Sequence, residues 1–404
     1  MSLKSTHDVM KFRLISALAI VASLYCCTGA PEGLRDIDGA VEAAISEGTC
    51  PGAVVAVVHD DDIVWLKAYG NSSVVPDTVA MTTDAVFDLA SLSKCVGTTL
   101  SMMQLIESGK VSLDDKVSRY IPEYAPWTDP ETGETVDITV RDVMTHSSGI
   151  QPYTDVPACV ERFGSPCPDS LVHHVAVEAV RNFRPGTDFM YSCLNFVTVQ
   201  AILEKVTGER LCDYASANVF GPLGLNDTRY LPIGEPVPEE YLSRVVPTEV
   251  QSDGLPLHGE VHDPLARLMN GGNSGNAGVF STASDLAKVA IAIMHGGAMP
   301  DGSHRILKPE TVELMTTVPE SNAPSVGRAL GWDVCSTHAG IRGSILSEDH
   351  CICHTGYTGT SMVIDLDRNL AVIILAHRVH PEDKGSMASL RKTVSDIVGA
   401  SFAD

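Results

Sequence analysis

The chain is short of positive charge. Its 404 residues carry 28 Lys and Arg against 51 Asp and Glu, a formal net charge of −23. Nucleic acids and anionic membranes are bound through basic patches, so this balance argues against both as partners. The chain also lacks an apolar run long enough to cross a bilayer, which takes about 20 residues. No internal repeat or low-complexity tract is present, which sets aside solenoids and tethers. What remains suits a globular protein. Hydrophobic residues make up 44% of the sequence, and its length accommodates two or three lobes of about 100–200 residues each.

One near-continuous apolar run, Leu14 to Cys27, spans fourteen residues. Lys4, Lys11 and Arg13 precede it, and Gly29 and Ala30 follow. That layout predicts a signal peptide over residues 1–29 and an exported protein, periplasmic or secreted, rather than a buried helix. Leu24-Tyr25-Cys26-Cys27 faintly resembles a lipoprotein box, which leaves attachment to a membrane through an N-terminal lipid open. Nine of the eleven cysteines lie beyond Cys27. Nine is odd, so a monomer keeps at least one free thiol. Cys159 and Cys167 flank a Gly/Pro-containing loop and are spaced to pair in an oxidising compartment.

The stretch that organises the rest is Phe87-Asp88-Leu89-Ala90-Ser91-Leu92-Ser93-Lys94. Ser91 and Lys94 are three residues apart, so on a helix they share a face. Ser91 falls at the helix start, where developing negative charge is favoured. A serine hydroxyl becomes a nucleophile when a neighbouring base takes its proton. A lysine does this once its pKa falls below the usual ~10.4. The pair is therefore a candidate acyl-enzyme site. Read alone, it is better taken as an N-cap serine beside a surface lysine.

Along the chain, residues 36–47 read as an amphipathic helix. Residues 52–59 and 63–69 read as two strands joined at Asp60-Asp61-Asp62. Val96, Leu100, Met103 and Ile106 keep a helical period that Gly109 ends. Residues 351–355, 360–365 and 370–377 read as strands, the last two turning at Asp367-Arg368-Asn369, and a helix over 384–399 closes the chain. Strands at both ends imply an α+β fold: one antiparallel sheet assembled from N- and C-terminal segments and flanked by helices. Residues 30–114 and 285–404 would form that sheet domain. Residues 115–284, richer in Pro, Gly and polar loops, would form an inserted, mostly helical lobe.

Two further groups matter. Tyr191-Ser192-Cys193 places a phenol that can relay a proton, although a lone tyrosine is more often a packed aromatic. His354-Thr355-Gly356-Tyr357 lies on an expected edge strand, where glycine lets a ligand approach the backbone. His350, Cys351, Cys353 and His354 are metal-ligand types, but on a strand they point alternately to opposite faces and do not converge. No metal or cofactor is expected.

These three groups, in this order, resemble the β-lactamase-like serine hydrolases, which include class C β-lactamases, D-alanyl-D-alanine peptidases and related esterases. The resemblance runs from about Ile37 to the C-terminus. It includes Val140 to Ile150, Phe220 to Thr228, Val261-His262-Asp263 and Gly275 to Leu286. The style of the third group, His354 to Thr360, is closest to a secreted, esterase-like branch. The resemblance implies a β-lactamase/transpeptidase-like fold. It implies that Ser91 attacks a carbonyl, that Lys94 and Tyr191 share the proton traffic, and that the amides of Ser91 and Tyr357 form an oxyanion hole. His354, Thr355, Gly356 and Cys193 would line the substrate site.

Two positions depart from the β-lactamase pattern. Cys193 stands where an asparagine is usual, and a thiol is a weak donor. His354 stands where a lysine is usual, and a histidine is mostly neutral at pH 7. Both departures weaken antibiotic hydrolysis, whose substrates carry a carboxylate, and favour an uncharged small-molecule ester or amide, with a cell-wall-derived substrate left open. A β-lactamase, a D-alanyl-D-alanine carboxypeptidase, or a non-catalytic penicillin-binding-like sensor on the same scaffold are the alternatives.

Overall fold

The computed structural model describes residues 31–336 and 339–403. The expected signal peptide lies outside the described residues.

The core of the molecule is a six-stranded antiparallel sheet. Its strands are β1 (Gly52–His59), β2 (Asp62–Ser73), β3 (Val79–Ala80), β4 (Cys351–Thr355), β5 (Ser361–Asp365) and β6 (Leu370–Ala376). They lie in the order β3-β2-β1-β6-β5-β4. N- and C-terminal segments meet at the centre, where Val55 faces Ile374 across the β1–β6 pair. The turns fall at the acidic residues. Asp60 and Asn369 take left-handed φ values of 52° and 47°, which short polar side chains tolerate.

β1 and β6 are buried along nearly their whole length because both faces of the sheet are covered. On one face Ala53, Val55 and Val57 pack with α1 (Asp36–Ser46) and the C-terminal helix 388–401. On the other, Val54, Ala56 and Val58 share a core with helices 100–107 and 283–294. The α+β architecture with an antiparallel sheet therefore stands as the sequence implied.

Between the sheet segments the chain carries helices at 140–144, 156–163, 168–177 and 193–207, joined by long irregular stretches. Thr139 caps the first through a reciprocal box with Asp142. Gly208, in a left-handed conformation, ends the last. A three-stranded sheet pairs Phe87–Asp88 with Val279–Ser281, and that strand with Arg229–Tyr230. Two-residue strands are too short to leave a period in the sequence, and this sheet was not expected from it.

Cys159 and Cys167 do not pair. Both are buried free thiols packed in the main core, and Cys159 Sγ instead lies 3.6 Å from Thr154 Oγ1.

Candidate active site

The segment carrying Ser91 is bent sharply as it leaves the small sheet. Leu89 N still donates to Val279 O at 3.0 Å. Ala90 then adopts φ 46°, a left-handed conformation that costs a non-glycine residue about 1–2 kcal/mol. Neighbouring bonds hold it there. The Asp88 carboxylate accepts from Ala90 N at 2.8 Å and from His262 N at 2.7 Å. Asp88 is fully buried, and burial raises its pKa despite both backbone donors. Ser91 then sits in a 3-10 turn, Ala90–Leu92, followed by a wide π-helical stretch, Lys94–Thr99, and the regular helix α2, Leu100–Glu107. The expected helix thus begins irregularly, as helices often do at functional sites.

Lys94 is completely buried. Its Nζ donates to Ser91 Oγ at 3.0 Å and to Asn276 O at 2.8 Å, and lies 3.6 Å from Cys193 Sγ. The ammonium packs over the rings of Tyr191, 5.1 Å to the centroid, and Phe196, 5.8 Å. Burial alone would lower the Lys94 pKa, but its contacts with Cys193 and Tyr191 outweigh this and the net shift is upward. Burial raises Tyr191 and Cys193 as well, with Lys94 opposing in each case. All three are thus shifted towards keeping their protons, and the lowered lysine pKa that the serine–lysine reading calls for is not found in this state.

Tyr191 reaches this set from the segment that leads into the helix at 193–207. Its segment is fastened to His146, whose Nδ1 accepts from Ser192 N at 3.2 Å and whose carbonyl accepts from Met190 N at 3.0 Å. The His146 and Tyr191 rings are 4.4 Å apart.

The third group closes the site from the edge of the main sheet. Thr358 Oγ1 donates to Asp88 O at 2.8 Å, and Thr360 Oγ1 to Leu89 O at 2.9 Å. A Cβ on Gly356 would lie 2.0 Å from Thr360 Oγ1 and 2.3 Å from Leu89 O. The close approach that requires this glycine is therefore made by the chain's own nucleophile bend. His354 is buried beside Tyr191, with ring centroids 5.8 Å apart, and its Nδ1 donates to Thr355 O at 2.8 Å. Tyr357 is exposed. Its hydroxyl donates to Asp383 at 2.6 Å, with Arg378 over one side of the ring and His262 stacked near it.

Ser91, Tyr191 and Tyr357 stand between two clefts. One, of about 330 Å³, is lined by His354, Thr355, Gly356 and the arginines Arg328, Arg378 and Arg391. The other, of about 410 Å³, is lined by Cys193, Tyr153, Glu249, His262, Asp263 and Asp383. The candidate site residues Ser91, Lys94, Tyr191, Cys193, His354, Thr355, Gly356 and Tyr357 meet here. The sequence reading gave no role to Asp88, Asn276 or the arginines. Asp88 and Asn276 stood inside recognisable segments. Nothing in the local pattern marks the arginines. Among the described residues no group of three or more His, Cys, Asp or Glu is placed to hold a metal ion.

The family model described as Beta-lactamase matches residues 37–394. The chain belongs to the beta-lactamase family. Within this family of serine hydrolases it is 30% identical over 366 residues to an N-acetylmuramyl-L-alanine amidase of Bacillus subtilis, covering 86% of this chain and 81% of the relative. It is 27% identical over 368 residues to an Escherichia coli protein provisionally named a D-alanyl-D-alanine carboxypeptidase, covering 86% and 83%. The solved structure of EstCE1, a hydrolase with promiscuous acyltransferase activity, shares its fold with a TM-score of 0.71 at 21% identity, over 91% of this chain and 98% of that one.

Proposed function

We propose that the protein hydrolyses a small ester or amide through an acyl-enzyme on Ser91. The observation that carries this is the 3.0 Å hydrogen bond from the buried Lys94 ammonium to Ser91 Oγ. The Lys94–Tyr191 pair first releases one proton to solvent; Ser91 Oγ then bonds to the substrate carbonyl carbon as its own proton fills the vacated position on the pair. The pair returns the proton to the leaving group as the scissile bond breaks. Water then attacks the acyl carbon by the reverse route and frees Ser91. The amides of Ser91 and Tyr357 receive the negative charge that develops on the carbonyl oxygen.

Esterase-like chemistry stands ahead of antibiotic hydrolysis because Cys193 and His354, the two departures from the β-lactamase pattern, both line the clefts. The names of the Bacillus and Escherichia relatives support a second reading, cleavage of an amide in a cell-wall-derived peptide. We also propose export, with or without an N-terminal lipid, from the basic and apolar pattern before Ala30. The intact mass of protein recovered from its native host reads the cut and any lipid directly.

A fluorophosphonate probe tests the mechanism. It should label the wild type at Ser91 and leave Ser91→Ala unlabelled. Labelling that survives the substitution would place the nucleophile elsewhere. Turnover of para-nitrophenyl acetate and butyrate separates an enzyme from a sensor, which would acylate and stop.

A further inference from the structure

The acyl-enzyme cycle proposed above gives Cys193 no work. Its side chain lines the second cleft, of about 410 Å³, and is partly exposed. Lys94 Nζ donates to Cys193 Sγ at 3.6 Å. The same Nζ donates to Ser91 Oγ at 3.0 Å and to Asn276 O at 2.8 Å. One amine therefore faces the candidate nucleophile and a sulfur at once. Cysteines elsewhere meet oxygen instead. Cys95 Sγ lies 3.2 Å from Gly331 O, Cys159 Sγ 3.6 Å from Thr154 Oγ1 and Cys212 Sγ 3.8 Å from Asp213 Oδ1.

A sulfur beside an amine has a chemistry of its own. A thiolate oxidised by a peroxide becomes a sulfenic acid, whose sulfur a nitrogen can then attack to give a sulfenamide. Both atoms needed for that second step are already in contact here. Burial raises the Cys193 pKa, the Lys94 ammonium opposes the rise, and the Asp263 carboxylate adds to it. The thiolate is thus a minor form, held by the ammonium beside it. The flexible four-carbon stem of a lysine lets Nζ close the remaining distance.

We propose that Cys193 and Lys94 form a reversible redox lock, in which hydrogen peroxide enters by the second cleft and joins Sγ to Nζ. The Cys193 thiolate attacks one peroxide oxygen and the O–O bond breaks. The Lys94 ammonium gives a proton to the departing oxygen, which leaves as water. Cys193 is then a sulfenic acid and Lys94 a neutral amine. The amine attacks the sulfur, an S–N bond forms, and the sulfenic hydroxyl leaves with one amine proton as a second water. Sulfur loses two electrons and the peroxide gains them. Two equivalents of a thiol reverse the lock, ending as their disulfide while the Cys193 thiol and Lys94 amine are restored. The cross-linked nitrogen no longer carries the proton of Ser91, so the locked enzyme is inactive. The export proposed above would take the chain away from the reductants that keep cytosolic thiols free. The cross-link needs only Cys193 and Lys94; its effect on turnover rests on the Ser91 acyl-enzyme reading.

The test uses the full chain, treated with hydrogen peroxide and then with catalase. Peptides mapped without reductant should show the Lys94 and Cys193 segments joined, lighter by two hydrogens than the two free peptides together. Turnover of para-nitrophenyl butyrate and fluorophosphonate labelling of Ser91 should fall as that species accumulates, to near zero when it is complete, and return with dithiothreitol. Cys335→Ala removes an exposed thiol and should respond as the wild type does. Cys193→Ala, scored against its own untreated activity, should keep that activity at a dose that silences the wild type.

The proposal is overturned if Cys193 in the silenced enzyme is still a thiol or has gone on to sulfinic acid. It is overturned equally if dithiothreitol restores nothing, or if Cys193→Ala is silenced as fast as the wild type. Should Cys193→Ala be inactive or fail to fold, the wild-type peptide map and its reversal decide. Ordinary turnover with no joined peptide removes this inference alone. A joined peptide in a protein that neither turns over esters nor labels at Ser91 removes the acyl-enzyme reading and leaves the cross-link standing.

Discussion

Thr360 Oγ1 donates a hydrogen bond to the carbonyl oxygen of Leu89 at 2.9 Å, two residues before the candidate nucleophile. Thr358 Oγ1 makes the same kind of bond to Asp88 O at 2.8 Å. Two hydroxyls thus staple the turn after β4 to the bend that presents Ser91. If the Ser91 and Tyr357 amides are the oxyanion donors proposed above, these staples set their spacing. In acyl transfer that spacing matters, because donors must meet the oxygen of the transition state rather than that of the substrate.

Thr360→Val keeps the shape of the side chain and removes one staple. We expect kcat to fall roughly tenfold with KM little changed, since loosened oxyanion donors act mainly in the transition state. The lost hydrogen bond should lower stability by about 1 kcal/mol. Steady-state kinetics beside a urea melt would check both. A rise in KM at constant kcat would make Thr360 a binding residue instead.

Gly356→Ala tests the same contact by crowding it. The new Cβ would need both Thr360 Oγ1 and Leu89 O to retreat from about 2 Å. Overpacking of this kind costs about 1–3 kcal/mol. The shift would be transmitted straight to the Ser91 bend, so activity should drop by about a hundredfold. Normal kcat/KM in a folded Gly356→Ala protein would show that the site tolerates a displaced turn.

Much of this arrangement was legible before any coordinates. The apolar runs at 52–59 and 370–377 read as strands because a sheet covered on both faces leaves continuous hydrophobic stretches. Ser91 and Lys94 stood out only together with the Tyr191 and His354 groups in order, since a three-residue Ser–Lys spacing alone is a common pattern. The small sheet did not, since pairing Phe87–Asp88 with Val279–Ser281 takes two or three residues and joins positions far apart in the chain. Arg328, Arg378 and Arg391 belong to separate segments and meet only because β4 lies at the sheet edge beside the last helix. No local pattern distinguishes them from surface arginines. The charge inferred from His354 alone was accordingly an incomplete account of the cleft.

Lys94→Met should separate activity from stability. A buried ammonium among Tyr191, Phe196 and Cys193 carries a desolvation cost that an apolar side chain of similar length avoids. Asn276 O would lose a donor worth about 1 kcal/mol. The melting temperature should therefore stay at or above that of the wild type, while kcat/KM should fall by about a thousandfold because the proposed Lys94–Tyr191 proton relay is broken. Scanning fluorimetry and ester hydrolysis on the same preparation would check this. A marked drop in melting temperature would assign Lys94 a structural role.

Acid should destabilise the fold through a histidine outside the candidate site. His377 is fully buried, stacked on His380 at 5.6 Å and against the edge of Phe87 at 6.2 Å. Burial first, and the neighbouring His380 second, lower its pKa from 6.5 to about 3. The sign follows from proton counting. Between pH 6.5 and 3 the unfolded chain binds a proton at this position and the native one does not, so stability falls as pH falls. From pH 7 to pH 5 the loss from His377 should be about 2 kcal/mol. Burial lowers His380 too, and it acts in the same direction. His377→Gln keeps a neutral hydrogen-bonding group but cannot take up the proton, so its urea midpoint should change less between these two pH values. Parallel midpoint shifts in the two proteins would mean that other groups govern the acid response.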